Sequence, residues 1–153
     1  MDVDAKLTDL GLSLGQPPAA VANYLPAVRC DSMLVISGQL PLRDGRLIAT
    51  GKVPTDVTLD AAREAAAQCV LNGLSLIRQA IDGDWAELVR IVRIGVFVQS
   101  TPDFTDQAKV ANGASDLLVE VFGDAGKHAR AAVGVNSLPL NAPVEIEMLV
   151  ELR

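Results

Sequence analysis

Near the carboxyl terminus, the segment HARAAVGV carries an arginine and the only histidine of the chain, followed by small and aliphatic residues. The alternation of a β-strand places Arg130, Ala132 and Gly134 on one side, and Val133 and Val135 on the other, where we expect the valines to join a core. An arginine beside residues of almost no volume predicts a concavity that ends in a planar donor for a carboxylate. The alternative is a structural ion pair with an internal glutamate, or a position at a solvent-exposed rim.

The terminal strand that follows, VEIEMLVEL, alternates glutamates with aliphatic residues. Glu145 and Glu147 share one face, which is typical of the solvent-exposed side of a sheet. In a partly desolvated pocket the pKa of either carboxyl would rise, and the group could then hold or shuttle a proton. His128 could do the same, although a single histidine at the start of a strand is more often exposed or hydrogen-bonded as a cap.

Composition disfavours several other classes of site. One histidine and two distant thiols, Cys30 and Cys69, do not make a zinc or iron site, and the absence of a cysteine pair favours a reduced, cytoplasmic protein. A net charge of −6 with scattered basic residues disfavours a nucleic-acid groove. The acidic amino terminus lacks the apolar region of a signal peptide, and no apolar run approaches the roughly 18 residues of a membrane span.

Apolar residues make up 50% of the chain and aromatic residues only 3%. The core must therefore be built from valine, leucine, isoleucine and alanine. So many aliphatic side chains exceed the interior positions of a small domain, and a subunit interface is where the excess is most readily buried. The composition therefore predicts an oligomer.

The periodicity of the sequence predicts a single α+β domain spanning residues 1–153. The expected elements are an extended entry segment at 13–27, a strand at 33–41, a turn around Asp44-Gly45 with a short edge strand within 43–52, a helix at 56–81, an interior strand at 88–99, a helix from Thr105 or Asp106 to Gly123, and two final strands within 128–152. This order, β-β-α-β-α-β-β, allows two helices to cover one face of a mixed sheet.

Four motifs in this order resemble those of the RidA/YjgF family, and the resemblance covers nearly the whole chain. They are ANYLPAV with Tyr24, MLVISGQLP with Gly38, FVQSTPDF, and a closing Ala-Arg, Leu-Pro and Val-Glu-Ile-Glu pattern that runs from Arg130 to Glu145. The resemblance implies a chorismate-mutase-like fold assembled as a homotrimer, with three clefts between subunits.

For members with enamine/imine deaminase activity, the resemblance implies hydrolysis of a 2-iminoacid to a 2-ketoacid and ammonia, without a cofactor. Arg130 would hold the substrate carboxylate, and Glu145 or a backbone group would position the attacking water. Tyr24 would close the cleft, and Gly38 would allow the backbone to approach the ligand closely. Asn112 would line the cleft, the alternative being that it is simply a polar residue early in its helix.

The sequence departs from the family pattern at two positions near the arginine. His128 stands where the family often has proline or alanine, and Ala132 stands where a cysteine is common. These departures keep Arg130 as the carboxylate anchor but do not define which substrate it holds. A non-catalytic trimer that binds or senses a small carboxylate such as a 2-ketoacid is therefore the second hypothesis. Cleavage of single-stranded RNA, a third hypothesis, fits poorly with the negative net charge, the few aromatic residues and the single histidine.

Overall fold

Five strands form one mixed sheet in the computed structural model, which describes residues 2–17 and 23–153. The described residues form seven strands, five in this sheet and two in a separate pair: β1 (Ala27–Cys30), β2 (Met33–Gln39), β3 (Leu42–Arg43), β4 (Arg46–Leu47), β5 (Leu88–Gln99), β6 (Ala129–Val135) and β7 (Val144–Leu152). The α-helices are α1 (Val3–Asp9), α2 (Leu59–Ala80) and α3 (Gln107–Phe122). The sheet order is β1-β2-β7-β5-β6, so the predicted interior position of β5 is confirmed. β5 and β6 run parallel, and the other pairs of this sheet are antiparallel.

Helices α2 and α3 cover one face of this sheet, as predicted. α2 packs on β2 and β7, and α3 packs on β5 and β6. Thr58 begins α2 because its hydroxyl accepts a hydrogen bond from Ala61 N at 3.2 Å, which satisfies a free N–H of the first turn. Cys69 is buried in the apolar stripe of α2. Within the described ranges, no helix combines the length and the apolar composition needed to cross a bilayer.

Helix α1 is absent from the order of elements predicted from the sequence. Asp2 caps this helix, because its Oδ1 accepts a hydrogen bond from Ala5 N at 2.9 Å. Val3 and Leu7, one helical turn apart, are buried, and Trp85 Nε1 donates to Asp4 Oδ2 at 3.1 Å. Because a helix this short is unstable in isolation, its packing on the domain is what stabilises it.

The turn predicted at Asp44-Gly45 is present, but the short strands that flank it lie apart from the main sheet. β3 and β4 pair with each other in a separate hairpin. One edge of the main sheet is β1, which pairs with β2 and was not predicted, since the predicted entry segment ends at residue 27, where β1 begins. Part of that predicted segment, residues 18–22, lies outside the described part of the chain.

The face of the sheet opposite the helices is open within the described chain and carries both apolar side chains and the glutamates of β7. Val35 and Val133 lie on it, 47% and 46% exposed. The prediction that Val133 joins a core is therefore wrong for the single chain, and Val135 on the same side is only partly buried. The side of β6 that carries Arg130 and Gly134 faces α3 instead, since Arg130 donates to two side chains of that helix and a β-carbon at Gly134 would lie 2.8 Å from Gln107 Nε2.

Candidate active site

Arg130 lies on β6, an edge strand of the sheet, and its side chain points towards α3. Its Nη1 donates to Asn112 Oδ1 and to Ser115 Oγ, both at 2.9 Å. Both partners are neutral, and none of the ion pairs among the described residues involves this arginine. The helix therefore fixes the guanidinium through one nitrogen, and its Nε–Nη2 edge has no partner among residues 2–17 and 23–153 and can hold a carboxylate through two hydrogen bonds.

Ser115 connects Arg130 to His128. Its Oγ lies 3.0 Å from His128 Nε2, and His128 Nδ1 lies 2.6 Å from the carbonyl oxygen of Gly126. Ser115 and His128 are both half-buried, so this series of hydrogen bonds reaches solvent. Ser115 is not among the residues predicted from the sequence. The available signal was its spacing of three from Asn112, which places both side chains on one side of a helix.

Glu145 lies on the open face of β7, above Gly38 of the neighbouring strand β2. A bulge interrupts the pairing of these strands around Gly38, and a β-carbon there would overlap Glu145 Oε1. Partial burial and, secondarily, the charge of Glu147 raise the pKa of the Glu145 carboxyl above its ordinary value. Glu147 itself forms an ion pair with Arg93 Nη1 at 2.9 Å. A carboxyl whose pKa is raised towards neutrality is better suited to exchanging protons in that range.

Arg130 and Glu145 do not meet within one chain. Strand β5 separates them, since Arg130 is opposite Ile94 and Glu145 is opposite Phe97 on its two sides. Their side chains also point to opposite faces of the sheet, with Arg130 against α3 and Glu145 on the open face above Gly38. A single chain therefore cannot form a site that holds both side chains.

The predicted site residues thus fall into two groups. Asn112 lies with Arg130, and together with Ser115 and His128 they form what we call the arginine half-site. Gly38 lies with Glu145, and Tyr24 precedes Leu25, whose carbonyl oxygen accepts a hydrogen bond from Ser37 Oγ at 2.8 Å beside Gly38. We call Tyr24, Gly38 and Glu145 the glutamate half-site. Tyr24 is 47% exposed.

Two cavities lie elsewhere on the chain. One of about 340 Å³ lies at the ends of β5 and β6, beside Gly134 and Gln107. A larger one, of about 910 Å³, lies between residues 11–16, the β3–β4 hairpin and α2. Neither is lined by Arg130 or Glu145, which agrees with half-sites that face outwards. In the part of the chain that the structure describes, no three histidine, cysteine or acidic side chains cluster as metal ligands would.

Comparison with known proteins gives a match over almost the full length. A family model described as "YjgF/chorismate_mutase-like, putative endoribonuclease" matches residues 4–152. Protein TCP17 of Trypanosoma cruzi is 44% identical over 152 residues, which is 99% of this chain and 94% of TCP17. The 2-iminobutanoate/2-iminopropanoate deaminase of Escherichia coli K12 is 27% identical over 136 residues, which is 89% of this chain and 92% of the deaminase.

Solved structures confirm the predicted chorismate-mutase-like α+β fold. The crystal structure of Atu1372, a protein of unknown function from Agrobacterium tumefaciens, matches with a TM-score of 0.93 and 41% identity over 99% of this chain and 94% of that one. The YjgF gene product of Escherichia coli matches with a TM-score of 0.64 and 28% identity over 90% and 94%. The chain is therefore more similar in structure to a protein without an assigned function than to YjgF.

Proposed function

The chain belongs to the RidA/YjgF family, and we propose that it is an enamine/imine deaminase that hydrolyses small 2-iminoacids to 2-ketoacids and ammonia. A 2-iminoacid is already electrophilic at its imine carbon and hydrolyses slowly without help. The protein therefore needs mainly to orient the substrate and to move protons. The proposed reaction uses no cofactor.

The observation that carries this proposal is the exposure and the hydrogen bonding of the Arg130 guanidinium. The guanidinium is exposed, has no carboxylate partner among the described residues, and is held by Asn112 and Ser115 through Nη1 alone. A substrate carboxylate on the free edge gains charge-assisted hydrogen bonds worth on the order of 2–3 kcal/mol. Because the fixed guanidinium loses little further side-chain entropy on binding, most of that interaction contributes to affinity.

We further propose a homotrimer in which β6 of one copy borders the open face of the next. The arginine half-site of one copy then faces the glutamate half-site of its neighbour, and Glu145 can position the attacking water. Three features support this assembly: β6 is an edge strand, the open face exposes valines that a partner would bury, and the half-sites point to opposite faces of one sheet. A repeated contact between two different surfaces closes a ring when the rotation permits.

A second candidate function is binding of a small carboxylate, such as a 2-ketoacid, without turnover. The free edge of Arg130 would hold a 2-ketoacid as well as a 2-iminoacid, because both present the same carboxylate. Glu145, the group with the raised pKa, belongs to the other half-site. Binding can therefore persist in an assembly that does not bring Glu145 to the imine carbon.

An imine-trapping assay separates the two functions. An amino-acid oxidase generates a 2-iminoacid in the presence of semicarbazide, which traps any imine that has not yet been hydrolysed. We expect the wild-type protein to lower the yield of trapped imine and Arg130→Ala to abolish the effect. Arg46→Ala, which removes an exposed arginine on the β3–β4 hairpin, is the matched control and should behave as wild type. A wild-type protein that binds 2-ketoacids and leaves the trapped yield unchanged would favour the binding function.

A further inference from the structure

The smaller of the two cavities, of about 340 Å³, lies where β5 and β6 end and α3 begins. A volume of this size is at the lower end of the range for sites that hold small molecules. The cavity is not lined by Arg130, which lies four residues before Gly134 on β6, about 13 Å away along the strand. It is therefore separate from the arginine half-site. Its polar side chains are those of Ser100, Thr101, Gln107 and Asn136.

Ser100 presents an unsatisfied hydroxyl to this cavity. The residue is only 7% exposed, and its Oγ has no hydrogen-bond partner in the described part of the chain, although its backbone N–H donates to Val135 O at 3.2 Å. A β-carbon at Gly134 would lie 2.9 Å from Ser100 Oγ and 2.8 Å from Gln107 Nε2, so the two polar groups converge above the glycine. Gln107 Nε2 donates one N–H to Phe104 O at 2.7 Å, which leaves its second N–H for a ligand.

Lys52 brings a positive charge to the rim of the cavity. Its Nζ lies 3.4 Å from Asn136 Oδ1, a neutral oxygen. The side chain is half-buried, and none of the ion pairs within residues 2–17 and 23–153 involves it. The adjacent residue, Val53, fixes this loop beside the cavity, because its carbonyl oxygen accepts from Thr101 N at 3.0 Å. A partly desolvated ammonium without a carboxylate partner favours the binding of an anion.

The amino end of α3 borders the same cavity, since Gln107 is the first residue of this helix. Asp106, which precedes it, makes no capping hydrogen bond with its side chain. The carboxylate of Asp106 pairs instead with Lys109 Nζ at 2.9 Å. The N–H groups of the first turn thus lack a side-chain acceptor, and the helix dipole favours negative charge at this end.

We propose that this cavity binds the phosphate group of a small phosphorylated metabolite. Lys52 supplies the charge, Ser100 and Gln107 donate hydrogen bonds to the phosphate oxygens, and the amino end of α3 adds its dipole. A compact ammonium with neutral donors around it suits a tetrahedral phosphate, whereas the planar edge of Arg130 suits a carboxylate. Pro102 and Phe104 form an apolar wall for the short carbon chain of the ligand. This site does not depend on the proposed imine hydrolysis.

Calorimetric titration of glycerol 3-phosphate into Arg130→Ala tests the site, because this variant lacks the other anion anchor. We expect its Kd to lie within about twofold of the wild-type value, since separate sites behave independently. Adding Ser100→Ala or Lys52→Gln to Arg130→Ala should weaken binding about tenfold, as expected for the loss of a charge-assisted hydrogen bond. Lys6→Gln, which removes an exposed lysine of α1, is the matched control and should leave Kd unchanged. Inorganic phosphate should compete with the ester, and glycerol should not.

Three results would overturn the proposal. The first is that the wild-type protein binds neither glycerol 3-phosphate nor inorganic phosphate. The second is that binding disappears in Arg130→Ala, because the arginine half-site is then the receptor. The third is that lactate, a carboxylate of similar size, binds Arg130→Ala as tightly as the phosphate ester does. Should the variant with Ser100→Ala fail to fold by circular dichroism, Lys52→Gln decides the question, since Lys52 lies outside the core.

Discussion

The carboxylate of Glu145 occupies the space above Gly38, where any β-carbon would displace it. The bulge in β2 and the missing side chain of Gly38 together make room for the carboxylate at the surface of the sheet. The same enclosure partly desolvates the group and raises its pKa. Gly38 and Glu145 are therefore one structural unit, although they are far apart in the sequence.

Replacing Gly38 by alanine should displace the Glu145 carboxylate and destabilise the fold. The added methyl group overlaps Glu145 Oε1, and relieving such a clash typically costs about 1–3 kcal/mol. Urea unfolding should show this loss, and imine hydrolysis should fall with it. Gly15→Ala is the matched control, because a β-carbon at Gly15 has no neighbour within 4 Å. Wild-type stability and activity in Gly38→Ala would contradict this role of Gly38.

The raised pKa of Glu145 gives the protein a specific dependence of stability on pH. The folded state binds the proton of Glu145 more tightly than the unfolded state does, so this proton contributes to the free energy of unfolding. That contribution is fully present at pH values below the ordinary glutamate pKa and is lost as the pH rises through the raised pKa of the folded state. Glu145→Gln does not titrate. Its free energy of unfolding, relative to wild type, should therefore increase as pH crosses that window. Urea unfolding at a series of pH values measures the difference.

The control for the pH experiment is Glu120→Gln, which replaces an exposed glutamate of α3. We expect the difference in unfolding free energy between Glu120→Gln and wild type to vary less across the same pH range. A pH-independent difference for Glu145→Gln would show that the environment of Glu145 favours neither protonation state, contrary to the burial seen in the structure.

Asn112 should contribute to ligand binding by orienting Arg130. Asn112→Ala removes one of the two acceptors of Nη1, both at 2.9 Å, and a hydrogen bond of this kind is worth about 1 kcal/mol. We expect the Kd of a 2-ketoacid to rise about fivefold, as measured by calorimetry. Gln79→Ala, which removes an exposed amide near the end of α2, should leave Kd unchanged. Unchanged binding by Asn112→Ala would mean that Ser115 alone fixes the guanidinium.

The open face of the sheet should be a subunit interface. Val35→Asp places a charge on that face, where an assembled neighbour would leave it buried and unpaired. We expect the wild-type protein to be a trimer by light scattering, and Val35→Asp to be monomeric, folded by circular dichroism, and inactive in imine hydrolysis. Val119→Asp, at an exposed valine of α3, is the matched control and should remain trimeric. A monomeric wild-type protein would contradict the shared site.

The two long helices and the interior strand β5 were predictable from local patterns. In α2, a capping threonine and an apolar stripe give an unambiguous period of 3.6, and the aliphatic run of β5 is typical of a strand with neighbours on both sides. The short α1 carries the same kind of signal, with Asp2 as cap and Val3 and Leu7 one turn apart. Seven residues are too few for that pattern to stand out from its surroundings.

The orientation of β6 was not predictable from its own residues. Alternation correctly separates Arg130, Ala132 and Gly134 from the valines, but it does not say which side faces the helices. Hydrophobicity alone assigns the valines to the core, whereas in the structure the side with Arg130 faces α3 and donates hydrogen bonds to it. The connection from Ser115 to His128 was also inaccessible, because it depends on how α3 lies against β6.

The most direct test of the central claim is calorimetric titration of a small 2-ketoacid, such as 2-ketobutyrate, into the wild-type protein, Arg130→Ala and Arg130→Lys. We predict that wild type binds, that Arg130→Ala binds at least about 30-fold more weakly, as expected for the loss of about 2 kcal/mol, and that Arg130→Lys is intermediate because an ammonium lacks the planar two-donor edge. Equal affinity of wild type and Arg130→Ala would contradict the assignment of Arg130 as the carboxylate anchor.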